Sequence, residues 1–162
     1  MVEINNLTSI PLNKKLLEKV ARRILKEEKK KGTYQSLSIA FVEPKRIKEV
    51  NKKYRGRNKV TDVLSFAEGN ISGIKSQPNS FKKPTSLGEI IICPQEVKKN
   101  AKEYGLIFRD ELILILIHGI LHLLGYDHEK SKAERKKMEK KEKFYLSQIS
   151  AKFLKAKTYG QR

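Results

Sequence analysis

Hydrophobic and polar positions follow two periods along this chain, and one further stretch is apolar on nearly every side. Leu37, Ile39 and Phe41 alternate with Ser36, Ser38 and Ala40, the two-residue period of a half-buried strand. Val2-Glu3-Ile4 alternates over a shorter span and predicts a first strand. Between them Leu12, Leu16, Leu17, Val20, Ile24 and Leu25 recur at helical spacing, with Lys14, Lys15, Glu18, Lys19, Arg22 and Arg23 on the wet face and Gly32 past the end. Pro44 suits the first turn of a second helix, with Ile47, Val50 and Tyr54 as its inward stripe and its end before Gly56. Val63, Leu64 and Phe66 have strand chemistry, as do Leu87 and Ile90 to Cys93. Pro94 to Tyr104 predicts a third helix that turns Val97, Ala101 and Tyr104 inward. Leu112 to Leu124 is apolar nearly all round, the mark of a buried central helix, and Asp110 and Glu111 suit its positive end. Ala133, Met138, Tyr145, Ile149 and Phe153 mark a last amphipathic helix.

These elements predict an α+β fold: one small mixed sheet of about four strands, helices packed around it, and a buried central helix. The 162 residues suffice for one core, and there are no repeats and no second domain. Ala67 to Ser86, rich in Gly, Ser, Asn, Pro and Lys with Ile71, Ile74 and Phe81 isolated in it, reads as a flexible loop over about 67–86. Residues 129–162 read as a lysine-rich helix and a tail that is disordered beyond Lys157.

Charge adds a partner class. The net charge is +18, from 36 Lys and Arg against 18 Asp and Glu, which favours polyanions, nucleic acid before an acidic membrane face. Lys136, Lys137, Lys140 and Lys141 lie in the final helix, where RNA contact and a merely solvated face are equally open readings. No apolar segment follows a basic start, and the apolar run to Leu124 is too short for a bilayer, so a cytoplasmic protein without a membrane partner is expected. The single cysteine, Cys93, excludes an internal disulfide, fits a reducing compartment and reads as a small buried hydrophobe at a strand end.

All three histidines fall within residues 117–128. His118 and His122, four apart on a helix, share one face. Gly125 can end the helix and turn the chain back, bringing His128 towards the same point. Three neutral imidazoles make a shell for one transition-metal ion and leave a fourth position for water. Zinc is the first choice, and imidazole also suits copper, nickel or iron. The spacing His-x3-His-x2-Gly-x2-His is that of metzincin proteases, but the glutamate they need after the first histidine is Gly119 here. A metalloprotease is thereby disfavoured. Asp127 either orients a histidine from behind or serves the turn, and the turn role is the stronger reading.

His-Gly-x-Leu-His-Leu-x-Gly-Tyr-Asp-His resembles the signature of the YbeY family, bacterial metal-dependent endoribonucleases of ribosomal RNA maturation. Asn51 with Tyr54-Arg55, and Thr61-Asp62-Val63-Leu64-Ser65-Phe66, resemble the family's second signature, and Gly88-Glu89 its Gly-Asp or Gly-Glu pair. The connection over 67–86 is longer than is usual in the family. The resemblance implies a single-strand-specific enzyme in which a metal-activated water attacks an RNA phosphodiester. Attack by the RNA's own 2′-hydroxyl remains the alternative chemistry. The resemblance also implies His118, His122 and His128 as metal ligands and Arg55 and His118 as catalytic groups, while the basic turn makes Arg57 and Lys59, with Arg55, candidate RNA contacts. Ribosomal RNA and the ribosome or its assembly intermediates are the implied partners, and no dinucleotide cofactor is expected. A non-catalytic RNA- or ribosome-binding factor with a structural metal is the competing reading.

Overall fold

A computed structural model describes residues 1–28, 36–68 and 86–157, with side chains as far as Ile149 in the last helix. In chain order the elements are β1 (Val2–Asn6), α1 (Lys14–Glu27), β2 (Ser36–Phe41), α2 (Pro44–Arg55), β3 (Val63–Ala67), β4 (Ser86–Ile92), α3 (Pro94–Glu103), α4 (Phe108–Leu123) and α5 (Lys132–Lys157). Most of the loop expected over 67–86, the position of Gly32, the side chain of Phe153 and the tail beyond Lys157 lie outside the described residues. The two ends of that expected loop, Ala67 and Ser86, belong to strands.

The strands form one mixed sheet in the order β1-β2-β4-β3. β1 and β4 run parallel to β2, and β3 runs antiparallel to β4 with Ser65 opposite Ile90 and Phe66 opposite Glu89. Alternation therefore sends Val63, Ser65 and Ile90 to one face, and Leu64, Phe66 and Glu89 to the other. The first face carries the main core. There α1 contributes Leu17, Val20, Ala21 and Ile24, and α4 contributes Leu112, Ile113, Leu116, Ile117, Ile120 and Leu121. On the second face α2 lays Ile47 and Val50 over Val42, Leu64, Ile91 and Cys93. Cys93 is a buried free thiol, as expected.

α4 packs against α1, α3, α5, β3 and β4, which is why its sequence is apolar nearly all round. It starts at Phe108, four residues before the apolar run, and Asp110 and Glu111 form its first turn. Three expected inward residues face solvent instead. Tyr104 is 70% exposed and Tyr54 is 39% exposed, each at a helix end where the core has already stopped, and Ala133 lies in the exposed first turn of α5.

A polar clamp joins α1 to the C-terminal half. Glu28, just past the end of α1, accepts hydrogen bonds from Tyr126 Oη (2.9 Å), Lys141 Nζ (2.6 Å) and Tyr145 Oη (2.6 Å). Burial pushes the Glu28 pKa up, but the bonds from Lys141, Tyr145 and Tyr126 outweigh it, and the net shift is downward. A carboxyl with a depressed folded pKa stabilises fully above its unfolded value of 4.5, and that contribution fades as pH falls through the folded value. Glu28→Gln should therefore lower stability near neutral pH by about 2 kcal/mol and flatten the acid limb of a Tm-against-pH curve. Identical acid limbs for parent and variant would contradict this role.

Candidate metal centre

The centre is built at the end of α4. Tyr126 N–H donates to Leu121 C=O and Gly125 N–H to His122 C=O, both at 3.0 Å, and Gly125 sits at φ +91°. This is the paired-bond helix stop that glycine makes without strain. It reverses the chain within three residues of His122, and the clamp on Tyr126 holds the returning segment in place. His128 then meets the other two rings: centroid separations are 4.5 Å for His118–His122, 5.3 Å for His118–His128 and 5.0 Å for His122–His128.

One nitrogen from each ring lies within 4.8 Å of the other two, so the triad is positioned to hold a metal ion. His118 Nε2 and His122 Nε2 are 3.0 Å apart. That is close to the separation of about 3.3 Å expected for two nitrogens on a tetrahedral zinc with bonds near 2.0 Å. Burial lowers the His122 pKa first, and the neighbouring His118 and His128 lower it further, against a smaller upward pull from Asp127. Both effects favour the neutral imidazole, the form that ligates. The donor set fits a transition metal that accepts imidazole.

Glu142 completes the arrangement, and the sequence reading missed it. Its Oε1 lies 2.7 Å from His118 Nδ1, and the side chains are only 17% and 27% exposed. A carboxylate there holds the proton on Nδ1 and leaves the Nε2 lone pair for a metal. The signal is in the sequence: Met138, Tyr145 and Ile149 form the buried stripe of α5, and Glu142 occupies the stripe position between Met138 and Tyr145. A charged residue on a buried stripe needs a partner. Glu142→Ala should weaken metal binding about 10- to 100-fold, with Glu142→Gln milder, as read by competition with a chelator. Unchanged affinity in Glu142→Ala would remove this residue from the site.

Asp127 acts on His122 through its charge, while its hydrogen bond serves the turn. Its Oδ1 accepts from Glu129 N–H at 2.9 Å, the local turn bond that its position suggested, although it does line the cleft. That cleft, about 490 Å³, is lined by the triad, Asp127, Arg55, Asp62 and the Val63, Ser65 and Ala67 side of β3. Arg55, the last residue of α2, reaches it from the helix end, and the turn that follows is tied to α2 by Asn51, which is buried and donates from Nδ2 to Lys59 C=O (2.9 Å). Arg57 and Lys59 are exposed on that turn and do not line the cleft. Lys136 and Lys140 are exposed on α5, Lys137 lies 3.7 Å from Glu134, and Lys141 is committed to Glu28. Lys141 thus has a structural role in the clamp, which its neighbours on α5 do not share.

Gly119 also acquires a reason. A Cβ there would lie 3.0 Å from Ile90 Cγ2 and 3.2 Å from Ser65 Oγ. Ser65 Oγ donates to the Gly119 carbonyl at 3.3 Å. The residue after the first histidine faces the sheet, and any side chain there would press on Ile90 and Ser65.

Comparison with known proteins agrees in extent and detail. The family model described as Endoribonuclease YbeY matches residues 3–150. A protein of Thermodesulfovibrio yellowstonii named endoribonuclease YbeY is 46% identical over 136 residues, 83% of this chain and 79% of its own. One of the same name from Petrotoga mobilis is 37% identical over 138 residues, 85% of this chain and 87% of its own. A Thermotoga maritima protein whose structure was determined in solution superposes with a TM-score of 0.64 at 31% identity, over the whole of both chains. Since the match runs from β1 through the histidine triad into α5, the chain belongs to the endoribonuclease YbeY family.

Proposed function

We propose that this protein is a zinc-dependent endoribonuclease that cuts single-stranded regions of ribosomal RNA during ribosome maturation in the cytoplasm. The observation that carries the reading is the convergence of His118, His122, His128 and Arg55 on one open cleft, in a chain of this family with a net charge of +18. When bound, zinc would supply Lewis acidity towards a phosphoryl oxygen and acidify a water molecule towards neutrality.

The chain's own residues do the rest. Glu142 fixes the His118 ring, and Tyr126, held by Glu28, fixes the approach of His128. Arg55 offers a planar guanidinium fork to the scissile phosphate, a geometry that a lysine ammonium lacks. The exposed cations of the turn, Arg57 and Lys59, and of α5, Lys136 and Lys140, add to the positive charge that attracts the RNA backbone. Ribosomal RNA within the ribosome or its assembly intermediates is the proposed target. An open cleft of this size favours a reactive site over a closed structural one, which keeps its ligands to itself. No helix among the described residues is long and apolar enough to cross a membrane.

Arg55 provides the test. Its side chain is exposed, so substitution leaves the core untouched. Arg55→Ala should slow cleavage of a single-stranded ribosomal RNA fragment about a hundredfold, the scale of losing one transition-state donor. Arg55→Lys should lose turnover more than binding, because charge is kept and the fork is lost. Metal content and Tm should match the parent in both. Parental cleavage by Arg55→Ala, under conditions where His118→Ala is inactive, would sink the assignment.

A further inference from the structure

We propose that Tyr54 is a stacking platform for one unpaired nucleobase, which turns away from the histidine cleft towards a second groove. This inference rests on the ribonuclease reading and deepens it by giving the enzyme a physical means of choosing unpaired RNA.

The second groove encloses about 500 Å³ on the opposite face of β3. Its walls include Ser38, Ala40, Ile91 and Glu89 from the sheet, with Arg46 and Val50 from α2. The two grooves meet at β3, an edge strand, and share Tyr54, Phe66 and Ala67 as common lining. Tyr54 and Phe66 therefore form the ridge between them. Their ring centroids are 5.4 Å apart at 62°, an edge-on contact that fixes the Tyr54 ring although it is 39% exposed. An exposed aromatic ring braced by a second one, at the junction of two grooves, has no role in the core.

Its surroundings select the ligand. Lys53 Nζ lies 5.2 Å from the centre of the Tyr54 ring. Arg55 lies on the metal side of the ridge and Arg46 on the other. Cations interleaved with an exposed aromatic ring suit a polyanion that also carries flat π-faces, which describes single-stranded RNA. Glu68 and Glu89 line the second groove and disfavour a phosphate there. The backbone thus stays beside the cations while a base turns inward, where a carboxylate can accept from a base N–H. A paired base is already stacked on both faces within its helix and cannot make this contact without unpairing.

The test uses full-length, metal-loaded protein and single-stranded oligoribonucleotides carrying 2-aminopurine at successive positions, read on mixing before cleavage proceeds. One position should be quenched by the parent and equally by Tyr54→Phe. Tyr54→Ala should lose that quenching and bind the single strand about tenfold more weakly, with duplex affinity, metal content and Tm unchanged. An abasic unit at the same position should weaken the parent by a similar factor and Tyr54→Ala no further. Parental affinity and quenching in Tyr54→Ala would overturn the proposal, including the case in which the second groove receives a protein instead. Failure of the two readings is distinguishable. If the parent cleaves RNA and Tyr54→Ala binds as the parent does, only the stacking site falls. If the parent binds and stacks the base but never cuts, the ribonuclease reading falls and the stacking site stands. A parent that binds no RNA overturns both.

Discussion

His118→Ala, His122→Ala and His128→Ala should each lose stoichiometric metal and slow RNA cleavage about a thousandfold or more while remaining folded. A site with three protein ligands keeps only two after any one substitution, too few to hold a divalent ion at ordinary concentrations. The lost electrostatic stabilisation of a reacting phosphate is worth several kcal/mol, and each 1.36 kcal/mol is about tenfold in rate. The fold should survive because the histidines sit half-exposed at the rim of α4, whereas Leu116, Ile117, Ile120 and Leu121 make the core contacts. Elemental analysis, RNA cleavage and near-ultraviolet dichroism measure the three parts separately. Full metal content in any two of the variants would dismiss the triad. Unfolding of the parent by a chelator would point instead to a structural ion, whose binding energy is folding energy.

Gly119→Glu should produce a protein destabilised by at least about 4 kcal/mol, even though it writes the protease sequence His-Glu-x-x-His into α4. Any Cβ at this position presses on Ile90 and Ser65, and the carboxylate beyond it would be driven between helix and sheet. Overpacking costs about 1–3 kcal/mol, and burying an unpaired carboxylate costs several more. Typical domains have only about 5–15 kcal/mol to lose. Gly119→Ala is the control, since better helix propensity of about 1 kcal/mol opposes contacts with Ile90 and Ser65 that a shift of a few tenths of an ångström relieves. Its damage should be far smaller. Urea midpoints rank the three proteins. A stable Gly119→Glu protein that cleaves peptides would show that position 119 faces the metal after all.

This position illustrates how local pattern and tertiary contact divide the information. That residue 119 lacks a carboxylate is plain in the sequence and argues against proteolysis. Why it must be glycine is a matter of the strands β3 and β4 pressing on the helix from far away in the chain. Arg55 stands out in the sequence only through its motif neighbours, and the placement of the end of α2 beside β3 is what brings it to the cleft. Tyr54 and Tyr104 fit a helical stripe but fall at helix ends, beyond the reach of the core, so periodicity alone misjudged them.

By itself the sequence determined what depends on neighbours along the chain. The strand alternation at Leu37 to Phe41, the buried character of α4 and the convergence of three histidines around Gly125 all follow from backbone periods and one turn, within a dozen residues each. Only the tertiary structure decided the parallel pairing of β2 with β4, the arrival of Glu142 at His118 across 24 residues, and the capture of Lys141 by Glu28 across 113. Charge makes Lys141 look like its neighbours on α5, and Glu142 like any surface acid. What separates them is the partner each meets, and that is fixed by the packing of α5 against the rest of the core, which no local period encodes.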